Sequence, residues 1–232
     1  MKNIRKYLSE FIGTAVLVMM GCGTAMLVGC KSNTGCGYIL TAFAFGLSLV
    51  ALIYCLGDIS GCHVNPAVSI AMFINKQISG KDCFWYIVFQ FIGAIAGVGI
   101  LSAIWNLGNL QDLTSSFASI TIDTVGLSAS ILVEVILTFV FVLAVLGSLS
   151  KDCKCTCALS IGLSLTLVHI LGIGLTGTSV NPARSFAPAL FASFWGNPDA
   201  MNCVWVFILA PVLGGILAGY VYALLKGKKA TK

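Results

Sequence analysis

The chain has 232 residues, of which 58% are hydrophobic and only 9% are charged, and its mean hydropathy is +1.00. A soluble domain of this length cannot bury so much apolar surface, so the composition excludes a soluble globular protein and indicates an integral membrane protein in a lipid bilayer. The formal net charge of +5 does not indicate a nucleic-acid partner, because the basic residues follow the membrane-topology pattern described below.

Apolar segments long enough to cross a bilayer, about 20 residues each, occur six times. In chain order the predicted spans are residues 8–29, 37–56, 84–107, 127–149, 158–175 and 204–225. The first segment is long, contains Glu10 and ends in no small-residue cleavage site, so we predict a retained span and not a signal peptide. An even number of spans places both termini on the same side of the membrane.

Lysine and arginine are divided unequally between the two sides that these spans define. Eleven of the thirteen lie at the termini or in the loops near 75–83 and 150–157, and only Lys31 and Arg184 lie on the other side. The positive-inside rule therefore predicts cytoplasmic termini. The short polar ends and the retained first span are typical of a multi-pass protein of a bacterial inner (plasma) membrane.

The second half of the chain repeats the first. Residues 10–18 match residues 134–142 at five of nine places, an offset of 124, and residues 46–49 recur unchanged at 162–165, an offset of 116. Each half holds three spans, an odd number, so the second copy enters the membrane from the opposite side and the repeats are inverted. Such symmetry predicts a functional site near the bilayer midplane, where the halves meet.

An Asn-Pro-Ala triplet occurs once in each repeat, again 116 residues apart. The two triplets are Asn65, Pro66, Ala67 and Asn181, Pro182, Ala183. Each precedes an apolar stretch, 68–74 or 186–192, that is too short to span a bilayer, since about nine residues reach only about 14 Å. A lone Asn-Pro pair is more often a turn, but its repetition in the inverted position indicates a functional feature.

The triplet chemistry predicts two half-helices that meet at the midplane. Proline suits the first position of a helix and asparagine caps it, which leaves the asparagine amide nitrogen to donate into a pore. Half-helices that enter from opposite faces bring the positive ends of both dipoles to the centre, where they would repel cations, including hydronium. The predicted fold is therefore an all-α membrane protein with six transmembrane helices and two re-entrant half-helices in an inverted three-plus-three repeat.

This pattern resembles the aquaporin and glycerol-facilitator family, the major intrinsic proteins, over nearly the whole chain. Residues 60–67 and 178–185 look closest to the bacterial Z-type water channels of that family. The resemblance implies one channel domain over 1–232, with repeats of about 1–110 and 127–232, and a homotetramer with one pore per subunit. It implies a passive channel for water and no cofactor.

The resemblance also implies a narrow selectivity filter near the outer mouth of the pore. Its four residues would be Phe45, His169, Thr178 and Arg184. Arg184 lies in the first turn of a half-helix, where the dipole disfavours a positive charge, and a membrane arginine without a neighbouring acid indicates a functional site. At the offset of 116, Val68 is the residue equivalent to Arg184, and Ile53 is the residue equivalent to His169, so the two repeats have diverged at these positions.

Two residues favour water as the substrate. Relatives that conduct glycerol carry a small residue at the place of His169 and usually Asp at the place of Ser185. A lone histidine on an apolar span is otherwise often a satisfied core residue. A facilitator of glycerol or of another small neutral solute, such as hydrogen peroxide or ammonia, stays open as an alternative, and a secondary transporter with inverted repeats is a weaker one. The sequence shows neither a nucleophile with its base nor a phosphate-binding loop, so we do not predict an enzyme.

Three further polar residues are predicted to line the pore or support its loops. Glu10 and Glu134 are repeated carboxylates that should face inward and accept hydrogen bonds from N–H groups of the re-entrant loops. His63 lies two residues before Asn65, on the cytoplasmic limb, and lining is preferred over gating by protonation. Four glycines are predicted to let helices pack closely: Gly93, Gly97, Gly214 and Gly215.

Ten cysteines raise the question of a metal or redox site. Most lie in or beside apolar spans, where a thiol behaves as a small hydrophobic group. The alternate spacing of Cys153, Cys155 and Cys157 is poor for tetrahedral zinc, and no histidine lies nearby, so no metal site is predicted. A redox or metal-sensing role of this cytoplasmic loop is kept as a minority hypothesis.

Overall fold

The structure is a computed structural model that describes residues 2–29, 36–110, 117–148 and 154–226. These residues form eight α-helices and no strand. The helices are α1 (Lys2–Val28), α2 (Cys36–Ser60), α3 (Pro66–Ile74), α4 (Gly80–Leu107), α5 (Gly126–Ser148), α6 (Lys154–Thr176), α7 (Pro182–Phe194) and α8 (Asp199–Lys226). All except α3 and α7 are long and apolar enough to cross a membrane. This confirms the predicted all-α membrane fold.

The helices extend beyond the apolar stretches from which the spans were predicted. α1 begins at Lys2 instead of near residue 8, and α8 begins at Asp199 instead of near residue 204. Hydropathy marks the part of a helix that lies in hydrocarbon, whereas the helix itself continues into the polar interface. α7 is also longer than predicted, because it runs for 13 residues and ends at Phe194, not at residue 192.

The packing of the helices follows the internal repeat. α1 packs against α2 and α4, just as α5 packs against α6 and α8, and the longest contact between the halves is that of α2 with α6. Gly46 and Gly162 lie at that crossing, where a Cβ on either residue would be 2.6 Å from the carbonyl oxygen of the other. α3 packs against α8 and α7 against α4, so each short helix joins the other half.

The four glycines expected to allow close packing do lie at helix contacts. A Cβ at Gly97 would overlap the carbonyl oxygen of Ala15 on α1, and one at Gly215 would lie 2.7 Å from the carbonyl oxygen of Ala67 on α3. Gly93 and Gly214 likewise face backbone oxygens of α1 and α5. Because the obstacle in each case is backbone, it has no rotamer with which to move aside.

Candidate functional site

The segments that precede α3 and α7 have the same unusual backbone. Gly61 and Gly177 have φ values of 88° and 80°, and Val64 and Val180 both have a φ of 44°. A β-branched residue in this left-handed region is strained, by about 1–3 kcal/mol. Such a conformation persists only where surrounding contacts fix it, so the partners of these loops matter.

Glu10 of α1 fixes the first loop. Its Oε1 accepts hydrogen bonds from the Ser60 hydroxyl at 2.6 Å and the His63 backbone N–H at 3.0 Å, and its Oε2 accepts from the Val64 N–H at 2.7 Å. The side chain is fully buried. The carboxylate thus satisfies the N–H groups of a backbone that is too irregular to satisfy itself within a bilayer.

Glu134 of α5 fixes the second loop in the same way. It accepts hydrogen bonds from the Thr176 hydroxyl at 2.7 Å and from the N–H groups of Ser179 and Val180, both at 2.9 Å. The three donors are the counterparts of those around Glu10 at the offset of 116. Both glutamates therefore lie behind the loops and have a supporting position.

Gln90 of α4 is a supporting residue that the sequence argument missed. Its Nε2 donates to Glu10 Oε2 at 2.7 Å and to the Ser69 hydroxyl at 3.0 Å, and it is fully buried. The signal was present in the sequence, since a glutamine in the middle of an apolar span must find partners inside the protein.

The two triplets start the short helices and meet at the centre. Asn65 Oδ1 accepts from the Ala67 N–H at 2.9 Å, and Asn181 Oδ1 accepts from the N–H groups of Ala183 at 3.1 Å and Arg184 at 3.3 Å. Pro66 and Pro182 occupy the first helical turn. Each asparagine is thus the N-cap of its helix, and the proline that follows it is the first helical residue.

The amide nitrogens of these asparagines are not wholly free, which corrects the expectation from sequence. Asn65 Nδ2 donates to the Val180 carbonyl at 2.7 Å, and Asn181 Nδ2 donates to the Val64 carbonyl at 2.8 Å. The inverted loops approach so closely that each strained valine presents its carbonyl to the opposite cap. One of the two hydrogens of each amide is used in this way, and the second remains available to another acceptor.

A narrow cavity runs past both asparagines. It is lined by Leu17, Phe45, Leu49, His63, Val64, Asn65, Phe141, Leu165, His169, Ser179, Val180, Asn181 and Arg184. The volume open to the centres of water molecules is about 10 Å³, which corresponds to roughly one water at a time. Three of the four residues predicted to form the filter are in this wall.

Those three residues form one stack. The rings of Phe45 and His169 lie 4.6 Å apart between centroids with an interplanar angle of 24°, and the Arg184 guanidinium carbon is 5.2 Å from the Phe45 ring centroid. Gly21 of α1 makes room for Phe45, because a Cβ there would overlap the ring. The His169 Nδ1 is 2.9 Å from the Leu165 carbonyl, so Nδ1 carries the proton and Nε2 presents a lone pair.

Arg184 is held by backbone, and no acid among the described residues forms an ion pair with it. It is 3% exposed, its Nη1 donates to the Ala118 carbonyl at 3.2 Å, and its Nε has no hydrogen-bond partner within the described ranges. Ala118 lies in the connection between α4 and α5. Its carbonyl faces a residue 66 positions away, and no local pattern indicates that pairing.

Thr178 lies at the predicted place in the chain but turns its side chain elsewhere. Its backbone φ is 58°, and the side chain packs against Gly172 of α6, where an added Cβ would overlap its hydroxyl. It is fully buried and is not in the cavity wall. The Thr178 side chain therefore lies against α6 and not in the wall of this cavity, and the predicted filter role of Thr178 stays a prediction.

His63 connects the first cavity with a second one, which residues of both repeats line. Its Nδ1 is 3.1 Å from the Ser69 hydroxyl, and its ring lies edge-on to Tyr86 at 5.0 Å. It lines both cavities. In the second repeat, the Ser185 hydroxyl donates to the Ser179 hydroxyl at 2.6 Å. An ionised carboxylate at position 185 could not donate this hydrogen bond.

The structure describes only part of the loop that contains Cys153, Cys155 and Cys157. Cys153 lies outside the described residues, and the side chain of Cys155 is likewise not described. The Cys157 thiol donates to the Ser148 carbonyl at 2.8 Å. Within the described ranges no group of three or more His, Cys, Asp or Glu side chains could hold a metal ion, so the sensing hypothesis stays a hypothesis.

Comparisons with known proteins give consistent matches over the whole chain. The family model described as Major intrinsic protein matches residues 1–222. A relative named Aquaporin Z in Rhodopseudomonas palustris is 39% identical over 96% of this chain and 94% of its own length. Another Aquaporin Z, from Photorhabdus laumondii, is 35% identical over 97% of this chain and 99% of its own length.

A solved structure shows the same fold at lower identity. The aquaglyceroporin from Plasmodium falciparum superimposes with a TM-score of 0.85 over 95% of both chains. Its sequence is 22% identical to this chain, so this likeness concerns the arrangement of the helices.

Proposed function

Because the chain belongs to the major intrinsic protein family, whose members are channels and not enzymes, we propose that it is a passive water channel driven by osmotic gradients. Channel activity itself follows from the family. Water selectivity does not follow from the family, and the proposal for it rests on the cavity wall of this chain.

The observation that carries the proposal is the stack of Phe45, His169 and Arg184 in a cavity with room for about one water. The three side chains are buried and combine an apolar face with two polar tips. The lone pair of His169 Nε2 and the Arg184 N–H groups can replace hydrogen bonds that a water molecule loses on entry. A glycerol molecule, with three carbons and three oxygens, needs more space than a cavity with room for about one water provides.

The central asparagines supply the proposed barrier to protons and cations. Both short helices begin at the centre, so the positive ends of two dipoles lie there. One N–H of each asparagine remains for a passing water, which then donates its own hydrogens outward toward the two mouths. A water oriented in this way interrupts the chain of hydrogen bonds along which a proton would move.

The test compares water and glycerol on one preparation. Purified protein in lipid vesicles should accelerate shrinkage under an impermeant osmolyte and leave glycerol entry near the lipid rate, as measured by stopped-flow light scattering. Replacing His169 by Gly should raise glycerol entry. The matched control is Leu171→Gly, which makes the same backbone change in α6 at a side chain that is 62% exposed on the outside of the helix.

Three outcomes decide between the candidates. Shrinkage at the lipid rate would remove water conduction from the proposal. Fast glycerol entry through the unaltered protein, with no further gain in H169G, would make it a facilitator of small neutral solutes. Fast water and slow glycerol, with a gain in H169G and none in L171G, supports the water channel.

We extend the proposal to the assembly and its place in the cell. The chain is taken as one channel domain of two repeats, 1–110 and 127–232, that assembles as a homotetramer with a pore in each subunit. The distribution of lysine and arginine supports cytoplasmic termini in a bacterial inner membrane. Native mass measurement in detergent and labelling of cysteines introduced at the termini of intact cells would test these two statements.

A further inference from the structure

Three fully buried side chains of the first repeat form a line of hydrogen bonds that ends at His63. Gln90 Nε2 is 2.7 Å from Glu10 Oε2 and 3.0 Å from the Ser69 hydroxyl, and that hydroxyl is 3.1 Å from His63 Nδ1. We call Glu10, Gln90 and Ser69 the histidine relay. The direction in which its hydrogens point follows from its first member.

Glu10 fixes the orientation of the Gln90 amide. Its two oxygens already accept hydrogen bonds from the backbone N–H groups of His63 and Val64, so the carboxylate acts as an acceptor. A flipped Gln90 amide would place its oxygen against a carboxylate oxygen, and its nitrogen would take the position where the amide oxygen now has no partner among the described residues. The nitrogen therefore faces Glu10, and its second hydrogen points to Ser69.

Ser69 passes this direction on to His63. Its oxygen accepts a hydrogen from Gln90, and among the described residues His63 Nδ1 is the one acceptor within hydrogen-bond distance of its hydroxyl. Because Nδ1 accepts, the proton of the neutral imidazole lies on Nε2. Nε2 borders the second cavity, since a Cβ on Gly61, another residue in that wall, would be 3.2 Å from it.

We propose that the histidine relay holds His63 in the Nε2–H tautomer, so that this ring donates a hydrogen bond to a water molecule in the second cavity. Ser69 and Gln90 are then positioning residues, because they act on water only through the ring. A water in single file accepts one hydrogen bond from its neighbour and has a second lone pair for His63. The inference rests on the proposed water-channel function.

His169 has the opposite polarity in the first cavity. Its Nδ1 faces the Leu165 carbonyl at 2.9 Å, so its Nε2 presents a lone pair. The two histidines of the sequence thus offer a passing water an acceptor at one and a donor at the other.

The tautomers are measured directly by ¹⁵N NMR of the full protein in lipid, labelled at histidine. The pH is kept well above the usual histidine pKa of about 6.5, so that protonated and unprotonated ring nitrogens give separate signals. The sequence contains two histidines, so the signals that persist in His169→Gly belong to His63. We expect the hydrogen on Nε2 in His63 and on Nδ1 in His169.

Ser69→Ala removes the hydroxyl of the relay, and Ser69→Thr keeps it. S69A should lower the ratio of the Nε2–H form to the Nδ1–H form of His63 by about twofold to tenfold, the factor to which one hydrogen bond corresponds, whereas S69T should keep the ratio. Ser130→Ala is the matched control, because Ser130 is equally buried, has no hydrogen-bond partner among the described residues and lines neither cavity. In the vesicle assay, S69A should conduct water more slowly than S69T and S130A, because a lone pair at Nε2 donates nothing to water.

A hydrogen on Nδ1 of His63 in the unaltered protein would overturn the inference, as would an unchanged tautomer ratio in S69A. A shifted ratio with unchanged water permeability would remove the donation to water. If S69A does not fold, the spectrum of the unaltered protein still decides the tautomer. A failure of the water-channel proposal looks different, since the unaltered protein would then shrink vesicles at the lipid rate whatever tautomer its spectrum shows.

Discussion

Replacing Gly13 by Ala should partly close the pore from behind its wall. Gly13 lies on α1, and a Cβ added there would be 2.6 Å from Val64 Cγ1 and 3.2 Å from Leu56 Cδ1. Ordinary contact begins at 3.4 Å, so the Val64 methyl would have to move by at least the difference between 3.4 and 2.6 Å, or 0.8 Å. Val64 is in the cavity wall.

The valine has little freedom to escape. Its N–H is bound to Glu10 at 2.7 Å and its carbonyl accepts from Asn181 at 2.8 Å, and a β-branched side chain is stiff at χ1. Overpacking of this kind costs about 1–3 kcal/mol. If the strain is relieved by turning a methyl into the pore, the open arrangement loses between about fivefold and about a hundredfold in population.

The assay is the rate of osmotic shrinkage per reconstituted molecule. Gly147→Ala is the control, because it is also a helical glycine but a Cβ there would meet nothing within 4 Å. We expect G13A to lose most of its water permeability and G147A to keep it. Removing the displaced methyls with Val64→Ala in the G13A background should restore conduction, as a double-mutant cycle measures.

Two results would refute this reasoning. One is wild-type water permeability in G13A with the same amount of folded protein in the vesicles. The other is a loss of conduction that V64A does not restore, because the obstruction would then lie somewhere other than at Val64.

Three further changes have defined outcomes. Glu134→Gln turns an acceptor into a donor that faces other donors, so the free energy of unfolding should fall by about 1–3 kcal/mol, whereas exposed Asp123→Asn should change it little. Asn181→Ala removes a helix cap worth about 0.5–2 kcal/mol and a central donor, so it should also speed the collapse of a pH gradient across vesicles. Gly215→Ala places a Cβ 2.7 Å from the Ala67 carbonyl oxygen and should lower the yield of folded protein.

Thermal or denaturant unfolding in detergent checks E134Q against D123N. Vesicles with an internal pH dye check N181A, and size-exclusion chromatography checks G215A. An E134Q protein as stable as D123N would contradict the supporting position of that carboxylate. A pH gradient that outlasts N181A would remove the asparagine from the proton barrier, and a normal yield of G215A would contradict the close contact of α8 with α3.

The sequence was sufficient wherever the cause is local. Six spans follow from apolar length, since lipid requires about 20 apolar residues per helix. The starts of the two short helices follow from Asn and Pro at Asn65, Pro66 and their repeats, because capping acts within three residues. Helix ends were less accurate: α1 starts at Lys2 because a helix can continue where hydropathy has already ended.

The site was only partly predictable, for reasons visible in particular residues. Glu10 and Glu134 stand out because a charge in an apolar span needs a partner, and the repeat indicates where that partner should be. The side-chain direction of Thr178 could not be read, because its φ of 58° is a property of the folded loop. Its site role therefore remains a prediction made from its place in the chain.

Sequence alone thus determined that the chain is a membrane protein of two inverted repeats with a central pair of capped half-helices. Tertiary structure decided which groups meet there. Asn65 reaches the Val180 carbonyl across 115 residues, Asn181 reaches that of Val64 across 117, and Arg184 reaches that of Ala118 across 66. Each acceptor is a backbone carbonyl, which every residue possesses, so the residue types in the sequence could not indicate which carbonyl would accept.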